Sequence, residues 1–575
     1  MGVCLKPITD RRWRLREPDA AAVALLEQEG ISPLLSRLLA NRGIGDAIAA
    51  KRHLSSALSD LHDPFLLSGM ETAVDRLVEA RQKQEMVCVY GDYDVDGITS
   101  VALLIDFFRS VAIPCCYHIP KRLEDGYGMS PDGVNAAASQ GAKVIVTVDC
   151  GITALKEAEL CRSKGIDLII TDHHMPPEEI PVAEAVINPL IASSLFPFRG
   201  LAGVGVAFNL VMALRIRLRE IGLFDSNCEP NLRRCLDLVA LGTVADLVPL
   251  IDENRIFVRH GLRQLTLSER PGIQALKTVA GIRGEVSCSD VGFRLAPRLN
   301  AVGRLEDASL GVELLLCNDP NEAATIASEL DRNNAERQTV EREILGDALS
   351  MVKSDPSLKG RKSIVLASYD WHPGVIGIVA SRIVDIYHRP TVLIAMQDGG
   401  GKGSGRSIPA FHLHDALNAC AEHLLKFGGH KHAAGLAIEE STLEGFVEQF
   451  DRVAQGLLSS EDLLPELAID AEISPSELSM ELAEQIASLA PFGIGNPEPL
   501  LLLKGAIIEK RQLLKESHLK LQISANSRSF TAIGFNMADR AEMTGPIDLA
   551  VTPQVNRWNN RRTLQLRIKD IRPAC

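Results

Sequence analysis

Between Gly91 and Gly97 the chain reads Gly-Asp-Tyr-Asp-Val-Asp-Gly, with carboxylates at 92, 94 and 96. This run follows directly on the apolar segment Met86–Tyr90. Three alternating carboxylates at the end of a buried strand need positive charge among them, because burying unpaired charge is costly. D-x-D-x-D-G also opens a calcium-binding EF-hand, but that loop needs Glu at its twelfth position, where Leu103 stands. The same chemistry recurs after two further apolar runs. Val146-Thr147-Val148 leads into Asp149, and Ile169-Ile170-Thr171 into Asp172-His173-His174. A fourth candidate, Asp246, closes Leu241-Gly242-Thr243-Val244-Ala245-Asp246. Any one of these alone is an ordinary cap. Together they predict Asp and His side chains at the ends of neighbouring parallel strands, on one sheet edge. Converging carboxylates repel unless cations sit among them. Mixed carboxylate and imidazole ligation suits Mn²⁺, the oxygen majority suits Mg²⁺, and the lack of thiolates in the set argues against structural zinc.

Positioning these groups requires an α/β scaffold. Met86–Tyr90, Lys143–Val148 and Asp167–Thr171 read as strands buried on both faces, separated by helical patterns at Ile98–Phe108 and Ala154–Lys164. That alternation predicts βαβ units in a parallel sheet, and the carboxyl edge of such a sheet is where ligands bind. Asn321–Lys353, rich in Ala, Glu and Arg, predicts a long helix connecting domains, and Ser363–Leu366 opens a second α/β segment reaching about Ile438. From Leu500 to Ile571 the alternation in Leu519–Ile523 and Leu564–Ile568 predicts a small antiparallel β domain.

Two further clusters bear on phosphate and nucleic acid. Gly399–Ser407 is glycine-rich but lacks the P-loop order, since Gly403 follows Lys402. As a loop it would let backbone N–H groups close on an anion, with Ser404, Arg406 and Ser407 adding donors. Arg557-Trp558-Asn559-Asn560-Arg561-Arg562 joins an aromatic to three cations, the means by which single strands are held without sequence preference. The histidines at 412, 414, 423, 430 and 432 match no zinc spacing.

The chain of 575 residues has 46% hydrophobic and 23% charged residues, which is globular composition and predicts three or four domains. It excludes disordered, collagen-like and small disulfide-stapled classes. Twelve scattered cysteines without a C-x-x-C predict reduced thiols and a cytoplasmic setting. The uncharged stretch Gly200–Leu214 is too short to span a membrane, and no apolar run follows the early arginines as a signal peptide would need. The net charge of −13 argues on its face against nucleic acid. Pro499–Cys575, however, carries 13 Lys+Arg against 6 Asp+Glu, while Glu439–Glu484 holds 13 acids and one base, Arg452.

The GDYDVDG, VTVDCGI, TDHH and ALGTVADLVPL segments resemble the four motifs of the DHH phosphoesterase superfamily, with a fuller match to its RecJ-type single-stranded-DNA exonucleases. Arg122–Gly128, Arg298–Arg304, His372–Arg382, Gly403–Ser407 and Gly428–Gly435 are also similar to that family, from about Val87 onward. The pattern and the resemblance together lead us to expect an N-terminal helical region (1–73), in which no motif is read, a DHH domain (74–320), a connecting helix (321–353) and a DHH-associated domain (354–440). An acidic helical segment (441–490) and an OB-type domain (491–575) complete the division.

Carried over by position, Asp92, Asp94 and Asp149 hold one metal ion, and Asp96, Asp149, His173 and Asp246 the other, with Asp149 bridging. Asp94 and Asp149 thereby join the catalytic set, and His174 lies beside the scissile phosphate as stabiliser or proton donor. Arg122, Tyr127, Arg298, Arg304, Ser404, Arg406, Ser407, His430, Arg557 and Trp558 are the implied DNA contacts. Two ions suit an in-line displacement, one acidifying the attacking water and both stabilising attacking and leaving oxygens. The resemblance implies a monomeric 5′ to 3′ exonuclease that releases 5′-mononucleotides in DNA repair and recombination. It also implies a DNA helicase and a single-strand-binding protein as partners. Two other readings stand beside it: a small-substrate DHH phosphodiesterase, which would lack the basic β tail, and a non-catalytic replication scaffold, which would have no need of intact ligands.

Overall fold

The computed structural model describes residues 10–120, 128–224, 229–305, 308–558 and 561–574, and of 302–305 and 558 the backbone alone. β1 (Arg12–Leu15) opens the described chain. β2 (Met86–Tyr90), β3 (Cys115–His118), β4 (Ala142–Val148), β5 (Asp167–Thr171) and β6 (Ala185–Ile187) then form a wholly parallel sheet in the order β3-β2-β4-β5-β6. Its strands are apolar at nearly every position because both faces are covered. Val87, Val89, Val146 and Ile169 face a core shared with the helices Val95–Ser110 and Gly203–Glu220. Cys88, Ile145 and Ile170 face the opposite way, onto Val134 and Ala158 of two shorter helices. The strand order reverses between β2 and β4, so their carboxyl ends frame the crevice where open α/β sheets bind ligands.

β7 (Ile364–Ser368), β8 (Thr391–Gln397), β9 (Gly400–Arg406), β10 (Lys426–Gly429) and β11 (Ala433–Glu439) form a second sheet, in the order β10-β11-β9-β8-β7. The glycine-rich run expected as an anion-binding loop is β9, an internal strand of this sheet. Its backbone is paired with β8 and β11, so it is not free to wrap an anion. The glycines serve packing. A Cβ on Gly401 would lie 2.6 Å from Ile394 Cγ2, one on Gly403 2.6 Å from Leu436 Cδ1, and one on Gly405 2.9 Å from Leu413 Cδ2.

β12 (Glu466–Ile469) pairs with β1. Arg12 meets Glu461 and Glu466 at 3.1 and 3.2 Å, and Arg14 meets Glu466 at 3.1 Å. The stretch 441–490, expected as one acidic helical segment, thus divides into the helix Leu443–Leu457, a strand answering the basic N-terminal run, and the helix Met480–Ser488. β13 (Ala471–Glu472), β14 (Leu501–Leu514), β15 (His518–Ala525), β16 (Arg528–Gly534), β17 (Pro546–Trp558) and β18 (Arg561–Pro573) make the last sheet. The pairing of β14 with β17 closes it into an OB-type barrel. The barrel core is not its own. Leu26, Leu34, Leu38 and Leu39 of the N-terminal helices pack into one cluster with Leu501, Leu521, Leu549 and Leu566.

The chain folds as two compact units, one of Leu15–Asp331 with Ile469–Cys575 and one of the residues up to Arg14 with Arg332–Ala468. The helix Pro320–Ser354, close to the expected connector, begins in the first and ends in the second. The architecture is therefore the one expected: a parallel-sheet α/β domain and a second α/β domain, joined by a long helix, with a C-terminal β barrel. Among the described residues no helix is long and apolar enough to cross a membrane.

Candidate metal centre

The loop after β2 is shaped by its own carboxylates. Asp94 is the N-cap of the helix Val95–Ser110, its Oδ1 accepting from Asp96 N at 2.9 Å and Gly97 N at 3.1 Å. Asn300 Oδ1 takes the Val95 amide at 3.1 Å. Asp96 turns inward, where Gly203 N and Val204 N, the first amides of another helix, donate to Oδ2 and Oδ1 at 2.6 and 2.8 Å. Unpaired amides at a helix start favour a carboxylate there. This close approach leaves no room for side chains on the partners. A Cβ on Gly203 would lie 2.7 Å from Asp149 Cβ, and one on Gly242 would strike Thr99 Oγ1 and lie 2.9 Å from Asp96 Oδ1.

Asp149 ends β4 with φ +60°, a left-handed conformation that Asp tolerates better than most residues and that turns the chain back over the sheet edge. Its Oδ1 lies 3.0 Å from His173 Nε2, which is also 3.6 Å from Asp246 Oδ2 and 3.9 Å from Asp96 Oδ2. Asp246, expected at a strand end, is instead the C-cap of the helix Leu236–Ala245. It reaches the same point because that helix packs along Val95–Ser110.

Three donor groups result: Asp92, Asp94 and Asp149; Asp96, His173 and Asp246; and Asp149, His173 and His174, each with ligand atoms within 4.8 Å of one another. Burial first, and then mutual repulsion with Asp94 and with each other, pushes the Asp96, Asp149 and Asp246 carboxyls above the usual carboxylate range. Burial, and then the neighbouring His174, lowers His173 to about 4, leaving a neutral imidazole suited to a metal. His173 Nε2 and Asp246 Oδ2 are buried and make no hydrogen bond. Divalent ions fit this donor set. They would reverse the repulsion and satisfy the buried donor atoms, and the set is of the oxygen-rich, imidazole-containing type that suits Mn²⁺ and Mg²⁺.

Asp172 is the group to which sequence reasoning gave no role. Its Oδ1 accepts from His173 N at 2.7 Å and His174 N at 3.0 Å and lies 2.8 Å from His174 Nδ1, while Oδ2 takes Ile152 N at 2.9 Å. Although burial opposes its charge, the His174 hydrogen bond and charge hold it below the usual carboxylate value. Asn188 Nδ2 donates to His174 O at 2.9 Å. The only sequence signal for Asp172 is its place in the Thr-Asp-His-His run, and for Asn300 its place in the Arg298–Arg304 segment; Asn188 gave none.

The implied DNA contacts are spread more widely. Arg122 and Tyr127 lie outside the described residues, as do the side chains of Arg304 and Trp558. Arg298 is largely buried and bound to Asp331 at 2.8 Å. Ser404 and Arg406 project from β9 on the face away from its glycine contacts, with Arg406 Nη1 3.1 Å from Ser404 Oγ. A Cβ on Gly377, at the start of the helix Ile376–Tyr387, would lie 2.8 Å from Ser404 Oγ and 3.0 Å from Arg406 Nη2. Serine, guanidinium and helix start thus converge there. Ser407 Oγ donates to Phe411 O at 2.9 Å, and His430 is exposed in the β10–β11 turn. Arg557 is exposed and stands directly across from Arg562, whose guanidinium is paired with Glu484.

Family models agree with this layout: the DHH family N-terminal domain matches 86–243, the DHHA1 domain 360–456 and the RecJ OB domain 469–570. The single-stranded-DNA-specific exonuclease RecJ of Escherichia coli (strain K12) is 41% identical over 97% of this chain and 99% of its own length. The chain belongs to the RecJ family. The Bacillus subtilis (strain 168) RecJ is 37% identical over 97% of this chain and 70% of its own. The crystal structure of Thermus thermophilus RecJ in complex with Mn²⁺ superposes with a TM-score of 0.83 at 32% identity, covering 98% of this chain and 80% of that one. A structure of the same RecJ with Mg²⁺ gives 0.78 at 30% identity, over 98% and 79%.

Proposed function

We propose that this chain is a metal-dependent exonuclease that degrades single-stranded DNA from the 5′ end to 5′-mononucleotides, in the service of DNA repair and recombination. The observation that carries the reading is the set of three donor groups linked through Asp149 and His173, in a chain matching RecJ over nearly its full length. Asp92, Asp94 and Asp149 would hold one Mn²⁺ or Mg²⁺ ion, and Asp96, Asp149, His173 and Asp246 the other. When bound, the ions acidify the attacking water and offset charge on the attacking and leaving oxygens.

The chain's own groups supply the rest. Asp172 fixes the His174 ring through Nδ1, leaving Nε2 to stabilise the phosphate or give a proton at the leaving oxygen. Gly203 and Val204 hold Asp96 in place. Ser404, Arg406 and Ser407 bind the phosphate of the strand's 5′ end, with His430, Arg122, Tyr127 and Arg304 as further contacts. Arg298, fixed by Asp331, sets the segment that carries Asn300. Arg557 and Trp558 hold the strand through phosphate and base stacking. We further propose a cytoplasmic monomer working with a DNA helicase and a single-strand-binding protein.

The test is digestion of a single-stranded oligonucleotide labelled at either end, with Mn²⁺, Mg²⁺ or EDTA and with D149A alongside. Early release of 5′-labelled mononucleotide, lost in EDTA and in the variant, is expected. Turnover of oligoribonucleotides, cyclic dinucleotides or pyrophosphate without cleavage of the strand would replace this reading with the small-substrate phosphodiesterase.

A further inference from the structure

Away from the metal centre, buried positive charge accumulates where the helices Ala47–Ser55 and Asp252–Leu267 meet the Leu489–Pro497 segment. Arg255 is 2% exposed and donates from Nε to His53 O at 2.8 Å, from Nη1 to Leu489 O at 2.9 Å and from Nη2 to Ala490 O at 2.9 Å. The Arg42 side chain, 4% exposed, donates to Leu38 O, Asn496 Oδ1 and Pro497 O at 2.6–2.8 Å. Carbonyl oxygens orient a guanidinium but do not neutralise it. The carboxylate facing Arg42, Asp470, stands 4.0 Å off, and among the described residues Arg255 makes no ion pair. Burial, and then Arg259 and Arg42, lowers Arg255 to about 9. Buried charge of one sign, in excess of its counter-charge, is the costly arrangement.

A cavity of about 290 Å³ opens beside these groups, lined by Arg42, Arg52, His53 and Arg255, with Asp60 and Asp252 also on its wall. The two acids do not balance the cations. Asp252 Oδ1 lies 2.7 Å from His62 Nε2, while Asp60 accepts from Arg52 through its backbone carbonyl at 3.2 Å. Three guanidinium groups therefore line the cavity against two carboxylates, and Arg259 adds to the charge felt by His53. His53 Nε2 is buried and has no hydrogen-bond partner.

We propose that this cavity is a binding site for a phosphate-class oxyanion, supplied as inorganic phosphate or as the 5′-phosphate of a mononucleotide. Such an ion provides the missing counter-charge. Hydrogen phosphate carries both an O–H donor and acceptor oxygens, so it pairs with His53 Nε2 in either tautomer, whereas sulfate can only accept. The site shares no residue with the metal centre. It lies at the joint between the N-terminal helices, the DHH domain and the segment entering the barrel, so occupancy ties three parts of one unit together.

The experiment uses the full chain in EDTA, so that the metal centre contributes nothing. Calorimetry and thermal unfolding are run with inorganic phosphate, with dAMP, and with sulfate and chloride at matched ionic strength, on wild type, His53→Phe and Arg52→Ala. Saturable phosphate binding, stabilisation beyond that by sulfate or chloride, and at least tenfold weaker binding in both variants are expected. Tighter binding of dAMP than of phosphate would identify a released mononucleotide as the ligand; equal or weaker binding would identify the free ion. Arg52 is exposed, so R52A keeps the test decisive if H53F does not fold. Stabilisation no greater than with chloride, or phosphate affinity unchanged in R52A, would overturn the proposal.

Discussion

Asp172 Oδ1 lies 2.8 Å from His174 Nδ1 and also accepts the amides of His173 and His174, so one buried carboxylate sets the position of both histidines. Replacing it by Asn keeps the size but removes the charge that fixes the His174 tautomer. Groups that orient metal-site residues in this way are worth about 10- to 100-fold in activity or metal affinity. Asp172→Asn is expected to lower kcat within that range with KM for single-stranded DNA little changed; steady-state kinetics with saturating Mn²⁺ checks it.

Asp149 contributes to two donor groups and takes a backbone conformation that costs most L-residues about 1–2 kcal/mol. Asp149→Asn keeps a residue suited to that conformation while relieving the carboxylate repulsion. In EDTA the variant should melt at or above the wild-type temperature, and in Mn²⁺ the wild type should gain stability that the variant does not. A variant stabilised by Mn²⁺ as much as the wild type would remove Asp149 from the ligand set.

Gly242 packs where a methyl would meet Thr99 Oγ1 and Asp96 Oδ1. Gly242→Ala should cost about 1–3 kcal/mol, in the range of overpacked cores, and lower activity by displacing Asp96. Adding Thr99→Ala should restore part of the loss, measured by urea denaturation together with the exonuclease rate.

Burial, reinforced by Arg255, Arg42 and Arg259, lowers the folded-state value of His53 from 6.5 to about 3. The unfolded chain takes up this proton near pH 6.5, while the folded chain resists it until about pH 3. His53 therefore contributes stability that is present above pH 6.5 and is lost as pH falls from there toward 3. His53→Phe should flatten the acid limb of stability against pH in phosphate-free buffer.

Arg406 stands with Ser404 at the start of a helix in the second unit, a setting for holding a phosphate. Arg406→Ala should raise KM for single-stranded DNA about tenfold or more with a smaller effect on kcat. Collapse of kcat with KM unchanged would put Arg406 at the reacting phosphate instead.

The parts of this protein that sequence reveals are those whose cause is local. Met86–Tyr90 and Asp167–Thr171 announce themselves as buried strands, and the carboxylates and histidines after them announce a cation, because each run carries its own reason. Gly399–Ser407 misleads for the same cause: glycines suit a loop, but Gly401, Gly403 and Gly405 are required by Ile394, Leu436 and Leu413, which approach from the two neighbouring strands and the helix that follows. Asp246 reads like a strand end in the company of the other motifs, and only the packing of its helix along Val95–Ser110 brings it to them. Asp172 was visible as a letter and invisible as a tie, since its role depends on Ile152 and on the His174 ring.

The shared core of the N-terminal helices and the C-terminal barrel has a consequence during synthesis. Leu26, Leu34, Leu38 and Leu39 gain their barrel neighbours only after Leu501 and the strands beyond it have been made. At about 5–20 residues per second, that interval lasts on the order of half a minute to a minute and a half. Throughout it the first helices leave the ribosome with an uncovered apolar stripe, a natural target for a nascent-chain chaperone. Translation speed therefore bears on the yield of this protein at its first helices as well as at its last strands.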